Sequence, residues 1–506
     1  MKRTGKPAVC SALLVAALAC CCLVAASCES RKGLAQRYEA EKNFFSADRL
    51  AVAAALGGAS AGNVAAAVSA LDGVAGRYSA RDLEDRSRFS EAEARAMSLL
   101  AWRASLRAAG LVAMEGRVSE ALRRYAAISS RFGGDREVGA SSLYLGARAE
   151  EAQGIWEGAL ATYRRILDGF LDETWPSDQL SEQLRTVPFL MADVAELAGD
   201  RNALREAMEK GRRLYSLASR SSSSDSFGEA EARLASAETY AREERWQEYV
   251  ASLKEVSASR GMGPGGGLRA RALLGICRAF KDGLRAADST LAYCEVVERE
   301  FPSTEAAEQA AFLRALVLNE RGGREEAKAI LRALSGRGSA VGASARLELG
   351  AIYEASGKWE DGKAEYRAIG VFFPHSTHYY ESLLRIIEHY GRTGNRAAMS
   401  IAADEAVAVL KKEAESFAGS GAGLIARGYL VDAYVAAGRT VEAEKELEGI
   451  SGAYGGWASG TIAGMRAVGM FRARGEKERA GRLTDMLKQR YGEALWQDMA
   501  GGKAGD

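Results

Sequence analysis

The residues best suited to metal chemistry lie in one short segment of the chain. All three histidines, His375, His378 and His389, fall in this segment, and imidazole is a common zinc ligand. If His378 and His389 share a helix, a rise of 1.5 Å per residue separates them by about 16 Å, which is too far for one ion. A closed zinc site also needs four ligands. The sequence therefore predicts no metal site, and Ser376 or Thr377 is expected to cap a helix instead.

A glycine-rich segment has the spacing of a nucleotide-binding loop. Gly261, Gly263 and Gly266 match GxGxxG, but that motif needs a strand before it and a helix after it within a βαβ unit. Neither a strand nor such a unit is predicted there, so the segment is interpreted as a linker. We expect no nucleotide and no cofactor.

Catalysis has as little support. The histidines leave a single neighbourhood for a Ser-His-Asp arrangement, because they are confined to one segment. Carboxylate pairs occur by chance in a helical chain rich in glutamate. No catalytic residue is assigned and the chain is not expected to be an enzyme, although an enzyme with an unrecognised site stays open as an alternative.

The first 28 residues have the pattern of an export signal. A basic start at Lys2, Arg3 and Lys6 precedes an apolar stretch over 8–24 and a run of small residues before Cys28. This order is typical of a secretory signal peptide. The apolar stretch is nearly long enough to span a bilayer, so a retained membrane anchor is the alternative.

This segment resembles a bacterial lipoprotein signal, with Ala25 where leucine is most usual. The resemblance implies that Cys28 becomes the acylated N-terminus and that a lipid anchor holds the protein on a membrane. By the sorting rules of such lipoproteins, Glu29 replaces the aspartate that retains them in the inner membrane. We therefore expect a cell-envelope protein on the periplasmic face of the outer membrane, with the inner membrane still open.

Two of the seven cysteines remain in the body of the protein after the signal segment and Cys28 are set aside. Cys277 and Cys294 lie symmetrically about a turn expected near 281–285. In an antiparallel hairpin they would meet within the ~4.4 to 6.8 Å Cα separation of a disulfide, and an oxidising compartment favours that bond. Two packed free thiols are the alternative.

Composition predicts an all-α protein without a strong electrostatic field. Only 6 of the 506 residues are proline, roughly a quarter of the usual ~5%, and proline interrupts helices. The 55 glycines fit this class if many short helices each end in a glycine turn. Lys plus Arg number 68 against 67 for Asp plus Glu, so no basic field attracts nucleic acid.

One pattern recurs along the chain: a glycine, a small residue five positions later, then apolar residues at steps of four, three and four. Those steps place the apolar positions on one helical face, and the glycine lies where a preceding helix must stop. Each instance therefore predicts a helical hairpin. The glycines are Gly62, Gly116, Gly154, Gly322, Gly357, Gly438 and Gly475.

Several glycine spacings are close to the ~34 residues of tetratricopeptide repeats. The best unit resembles that family's pattern, with Gly362 replacing the expected alanine; its residues are Leu349, Gly350, Tyr353, Gly357, Trp359, Gly362, Tyr366 and Pro374. The resemblance implies a right-handed α-solenoid of tetratricopeptide-like hairpins. Repeats that end in an aromatic residue followed by FPS or FPHS are similar to those of envelope lipoproteins such as the tetratricopeptide subunit of the β-barrel assembly machinery.

Two polar or glycine-rich breaks suggest a domain organisation. The predicted segments are a signal peptide over 1–28, an N-terminal array over 29–220, linkers with a short helical pair over 221–267, a C-terminal array over 268–500 and a tail over 501–506. Such breaks are tolerated because each repeat contacts only its neighbours.

Stacked hairpins make long surfaces that hold other proteins. By resemblance, the first helix of each hairpin lines the binding groove, which assigns Tyr144, Arg148, Asn319, Glu354 and Asp432 to it. The predicted function is a lipid-anchored periplasmic scaffold or adaptor that binds protein partners in outer-membrane assembly. The alternative is an accessory or activating lipoprotein of cell-wall metabolism.

Overall fold

The computed structural model describes residues 35–54, 61–78, 91–115, 117–131, 136–170, 178–221, 227–259, 266–453, 458–473 and 475–491. Throughout these residues the regular structure is helical. The predicted signal peptide with Cys28 and the predicted tail over 501–506 lie outside them. Among the described helices, none combines the length and apolarity needed to cross a membrane.

Twenty-two α-helices follow one another along the described chain. They are α1 over 35–54, α2 Ala61–Arg77, α3 Glu91–Met114, α4 Val118–Arg131, α5 Arg136–Ala152, α6 Trp156–Phe170, α7 Asp178–Ala198, α8 Arg201–Ser221, α9 Phe227–Arg242, α10 Trp246–Ala258, α11 Gly267–Arg278, α12 Ala287–Glu300, α13 Glu305–Glu320, α14 Arg324–Ser335, α15 Ala340–Ala355, α16 Trp359–Phe372, α17 Thr377–Arg392, α18 Arg396–Ser416, α19 Gly421–Ala436, α20 Thr440–Ala453, α21 Ala458–Ala473 and α22 Lys477–Tyr491. A π-helical turn over Ala279–Gly283 follows α11.

Helices that are adjacent in sequence pack against each other. From α8 to α22 every consecutive pair is in contact, and α2 to α5 do the same. Short turns return each helix antiparallel to the one before it, so the packed pairs are helical hairpins. This confirms the predicted all-α fold of tetratricopeptide-like hairpins, because each hairpin buries its apolar stripe on its neighbours in sequence.

The repeat glycines lie where the pattern expects a helix to stop. Gly154, Gly322, Gly357, Gly438 and Gly475 all have φ between 71° and 88°, a left-handed conformation that favours glycine. At one of these turns the Gly357 N–H donates to the carbonyl oxygen of Glu354 at 2.9 Å. Of the remaining two glycines, Gly62 lies inside α2, and Gly116 is outside the described residues.

The helices of the best repeat unit approach each other closely enough to require glycine. A Cβ atom on Gly362 in α16 would lie 2.7 Å from the carbonyl oxygen of Gly350 in α15, and real Cβ atoms do not come so near. A Cβ on Gly350 would in turn overlap the ring of the buried Tyr366. This contact explains why glycine stands at position 362, where the family pattern has alanine.

The chain forms two compact units, and their border differs from the predicted domains. One unit holds Met1–Gln153 with Pro176–Leu180, and the other holds Gly154–Trp175 with Ser181–Asp506. The predicted short helical pair is α9 and α10, which packs against α8 at one end and α11 at the other. The predicted domain boundaries themselves stay a prediction.

The two body cysteines are neighbours in the second unit. Cys277 on α11 and Cys294 on α12 are both buried and free. The hydrogen bond with Cys277, together with burial, raises the pKa of the Cys294 thiol. The hairpin thus brings the thiols together as expected, while the disulfide between them stays a prediction.

A partly buried ion-pair network joins α6 to α8 in the second unit. Arg164 on α6 donates to Glu206 on α8 at 2.8 and 2.9 Å, and Lys210 lies 2.8 Å from the same carboxylate. The hydrogen bond from Arg164, aided by Lys210, lowers the pKa of Glu206 to about 2. Ionisation of Glu206 is therefore more favourable in the folded state than in the unfolded chain, and it adds to the free energy of unfolding.

The close approach of α15 and α16 predicts opposite effects of alanine at two helical glycines. Gly362→Ala should destabilise the protein by about 1 to 3 kcal/mol, because backbone must move to admit the methyl group. Gly428→Ala in α19 is the matched control, since a Cβ there meets nothing within 4 Å. It should stabilise by about 0.5 to 1 kcal/mol through helix propensity. Chemical denaturation measures both, and a neutral Gly362→Ala would contradict the packing described.

The α6–α8 network predicts a pH-dependent contribution to stability. The folded-state pKa of Glu206 is lowered, so its contribution is complete above pH 5 and declines as the pH falls from there toward 2. Glu206→Gln should therefore cost about 1 kcal/mol at pH 6, a value reduced by solvent screening, and less at pH 3. Thermal unfolding at both values measures this. Glu209→Gln is the control, because Glu209 pairs with Arg213 in an exposed i,i+4 contact. An equal effect of pH on the two variants would refute the assignment.

Candidate functional site

The first helices of successive hairpins form a continuous surface in the second unit. In addition to their partners within each hairpin, α11 contacts α13, α13 contacts α15, α15 contacts α17, and α17 contacts α19. We call the surface along these junctions the first-helix face. The side chains on the first-helix face come from five helices, each of which contributes residues at i, i+4 spacing. Residues that are distant in sequence are therefore neighbours on this face.

Polar side chains join the helices at the first junctions of this face. Arg278 of α11 donates to the Gln309 Oε1 of α13 at 2.7 Å. The π-turn that follows α11 carries Lys281, whose Nζ lies 3.6 Å from Glu320 of α13. These contacts bind α11 and its π-turn to α13 along the face.

The junction between α15 and α17 is tied at both ends. At one end Ser344 and His378 share a hydrogen bond of 2.8 Å. At the other end Glu354 accepts hydrogen bonds from His389 at 2.7 Å and from Arg392 at 2.5 Å. The side chain of Glu354 is 15% exposed, so this predicted groove residue acts as a link between two hairpins.

An aromatic stack supports the Glu354 end of the junction. The indole of Trp359, in the first turn of α16, lies parallel to the imidazole of His389 with centroids 3.4 Å apart. The edge of Tyr390 meets the same indole at 5.5 Å. The imidazole is therefore fixed in orientation by stacking and aimed at Glu354 by its position on α17.

Glu348 lies on α15 between the two tied ends. Burial raises the pKa of its half-buried carboxyl group, and the charges of Arg385, Glu381, Lys281 and Glu320 also act on this pKa. Glu381 is already paired with Arg385 at 2.9 Å, and Glu320 with Lys281. Within the described residues no ion pair neutralises Glu348, which leaves a half-buried carboxylate on the first-helix face.

The other predicted groove residues are dispersed. Tyr144 and Arg148 lie on α5 in the first unit, where Arg148 pairs with Glu151 at 2.6 Å. Asn319 is half-buried near the end of α13, and Asp432 on α19 pairs with Arg466 of α21 at 3.1 Å. Asn319, Glu354 and Asp432 thus all lie on first helices of the second unit, and the groove assignment itself stays a prediction.

All three histidines contact a neighbouring helix. His378 and His389 bind α15, and the Nδ1 of His375 lies 3.0 Å from the buried Glu413 of α18. The Tyr380 hydroxyl donates to the same carboxylate at 3.0 Å. In the described part of the chain no three metal-ligating side chains converge. Ser376 is the N-cap of α17, as the sequence predicts.

A small pocket opens on the other side of α17. Its volume is about 310 Å³, and its walls come from α16, α17 and α18. Two of its charged residues, Arg367 and Glu405, pair with each other at 3.5 Å across it, and the rest of the lining is aromatic or aliphatic. Such a pocket suits an apolar side chain and offers no acid–base pair for catalysis.

Comparisons with known proteins add only distant likenesses. No protein-family model matches the sequence, and no curated protein matches it. Yeast Tom70 is similar in structure at 11% identity, with 94% of this chain and 96% of that chain covered and a TM-score of 0.41. A Rap protein complexed with Competence and Sporulation Factor aligns at 10% identity, with coverages of 72% and 99% and a TM-score of 0.34. The apo form of the quorum sensor NprR from B. thuringiensis aligns at 14% identity, with coverages of 70% and 99% and a TM-score of 0.33.

Proposed function

We propose that the chain is a lipid-anchored envelope scaffold whose first-helix face binds other proteins. The observation that carries the proposal is Glu348: a half-buried carboxylate without an ion pair in the described residues, set between helices that are tied at both ends. Burial already disfavours the charged form of this carboxyl group. A partner that brings a basic hydrogen-bond donor would therefore stabilise the carboxylate and bind to it. The role in outer-membrane assembly rests on the resemblance of the repeats to those of envelope lipoproteins.

The pairing of polar groups along the first-helix face supports binding over catalysis. Its polar groups pair with one another at Arg278–Gln309, Lys281–Glu320 and Ser344–His378. Catalysis requires an acid and a base that point into the same pocket. The polar groups of the first-helix face are instead spread along the helix junctions. A preorganised surface of this kind suits an extended protein partner, because little side-chain order is lost when it binds.

The anchor is supported by the signal pattern that ends at Cys28. An acyl group on the N-terminal cysteine would hold the scaffold on a membrane while its helical arrays stay in the periplasm. Cys28→Ser should therefore shift the protein from the membrane fraction and prevent lipid labelling, both of which fractionation and mass spectrometry can follow. A lipidated wild type is the control. A Cys28→Ser variant that fractionates and is processed as the wild type would contradict the anchor.

The binding role of the first-helix face predicts a loss of partner capture on charge reversal at Glu348. Exposed or half-exposed ion pairs contribute about 0 to 1 kcal/mol each, so Glu348→Arg should weaken capture up to about fivefold, and more at low salt. Cross-linking in intact cells followed by quantitative mass spectrometry measures this. Glu360→Arg is the matched control, because Glu360 is an exposed acid on the second helix α16.

Both variants should keep the helix content and melting temperature of the wild type, which confines the effect to recognition. Glu354 is a poorer probe, because reversing its charge would also break the contacts with His389 and Arg392. Equal capture of every partner by Glu348→Arg and by Glu360→Arg would reject the first-helix face as the binding surface.

A further inference from the structure

Helix α1, the first described helix of the first unit, has two distinct faces. Its small residues Ala40, Ala47, Ala51 and Ala54 are buried in the core of that unit. At 100° per residue these positions share one side of the helix. The opposite side of α1 is therefore turned away from the core.

Large apolar residues follow one another along that opposite side. Tyr38 is 68% exposed, Phe45 is 64% exposed and Val52 is 38% exposed. Their spacing of seven residues keeps them within about 40° of one another and gives a stripe about 21 Å long. Soluble surfaces scatter such residues singly, whereas an aligned stripe marks a docking surface.

Two basic side chains lie on the same stripe. Lys42 and Arg49 are exposed and fall between the apolar residues. The acids of α1 are neutralised by arginines: Glu39 with Arg77 at 3.9 Å, Glu41 with Arg37 at 2.9 Å and Asp48 with Arg107 at 3.2 Å. No ion pair involves Lys42 or Arg49 within the residues that the structure describes. The exposed stripe is thus both apolar and cationic.

We propose that the α1 outer face, defined as Tyr38, Lys42, Phe45, Arg49 and Val52, docks on an anionic phospholipid surface. Aromatic and aliphatic side chains interleaved with unpaired Lys and Arg are the pattern of a helix that lies in a membrane interface. The apolar side chains enter the acyl boundary while the basic groups reach phosphates. A protein partner would need its own acidic and apolar complement, whereas the membrane is anionic and apolar by composition.

Chain continuity favours the membrane as the occupant. The described part of helix α1 starts at residue 35, and the seven chain steps from Cys28 to that residue can reach at most about 25 Å. This inference rests on the proposed function only for the nearness of the membrane that lipidated Cys28 provides. Docking of α1 would then fix how the first unit lies on the surface, which the lipid alone cannot do.

The test places an environment-sensitive fluorophore on α1 in the full chain. Phe45→Cys labelled with a nitrobenzoxadiazole dye is compared with Ser46→Cys carrying the same dye, because position 46 lies about 100° around the helix. The remaining body thiols, Cys277 and Cys294, are buried. The proteins are reconstituted with vesicles of phosphatidylethanolamine and phosphatidylglycerol, and with phosphatidylcholine vesicles as the neutral control.

We expect a blue shift and quenching by spin-labelled lipid at position 45 on the anionic vesicles, with a smaller response at 46. Lys42→Gln and Arg49→Gln should each lower the ratio of docked to undocked helix about fivefold, in line with the contribution of one basic side chain at an anionic surface. High salt should also lower the ratio of docked to undocked helix, because it screens the attraction between the basic side chains and the lipid phosphates. These results support the proposal.

Three outcomes would overturn it. The first is a dye at position 45 that stays in water on anionic vesicles, and the second is an equal response of positions 45 and 46. The third is a shift that requires an added protein or a higher protein concentration without vesicles, which would assign the α1 outer face to a protein partner or to a second copy of the chain. Flotation of the vesicles reports the Cys28 anchor separately, so loss of the anchor and loss of docking are distinguished.

Discussion

The distance between the two helices of a hairpin governs the rest of the structure. In α15 and α16 that distance is so short that Gly362 meets the backbone of Gly350 and Tyr366 lies against the same glycine. This close approach buries the apolar stripe of each helix without the need for long side chains. A left-handed glycine such as Gly357 lets the chain reverse direction within a few residues and start the second helix. Because every such contact joins elements adjacent in sequence, the units grow by adding hairpins, and each new hairpin covers the apolar stripe left by the last.

This mode of packing determines where polar side chains can go. The backbone groups of a helix are hydrogen-bonded within the helix, so the contacts between helices can be made by pairs of side chains. All three histidines make such contacts, two of them between first helices. His378 and His389 hold α17 to α15, and His375 holds the start of α17 to α18 through Glu413. The segment that resembles a metal-binding cluster in sequence is therefore a joint between three helices. An imidazole suits such a joint because one ring can stack, as on Trp359, and hydrogen-bond at the same time.

The sequence predicted what depends on neighbours along the chain. Helical hairpins follow from a local period, and the structure confirms them. Five of the seven repeat glycines also lie at turns between helices, as the pattern predicts. The partners of Glu354 lie one repeat later, at His389 and Arg392, and their meeting depends on the rotation between hairpins, which a single helical pattern does not contain. Glu348 was missed for the same reason: a glutamate on a helix surface normally indicates solvent, and its burial comes from flanking helices. Gly62 shows the converse, since a glycine with the right spacing was absorbed into an alanine-rich helix.

Charge pairing in the folded chain distinguishes surfaces that the charge totals of the sequence do not. A net charge of +1 excludes a strong field and says nothing of partners. After folding, many acids and bases of the described residues form ion pairs, while others on several surfaces do not. Glu348 is an unneutralised carboxylate on the first-helix face, whereas Lys42 and Arg49 are unneutralised cations on the α1 outer face. An unpaired charge that is half-buried, as at Glu348, is costly to keep unless something outside the chain compensates it. Under the two proposals, the partner of the first-helix face supplies a basic donor and the partner of the α1 outer face supplies an anionic layer.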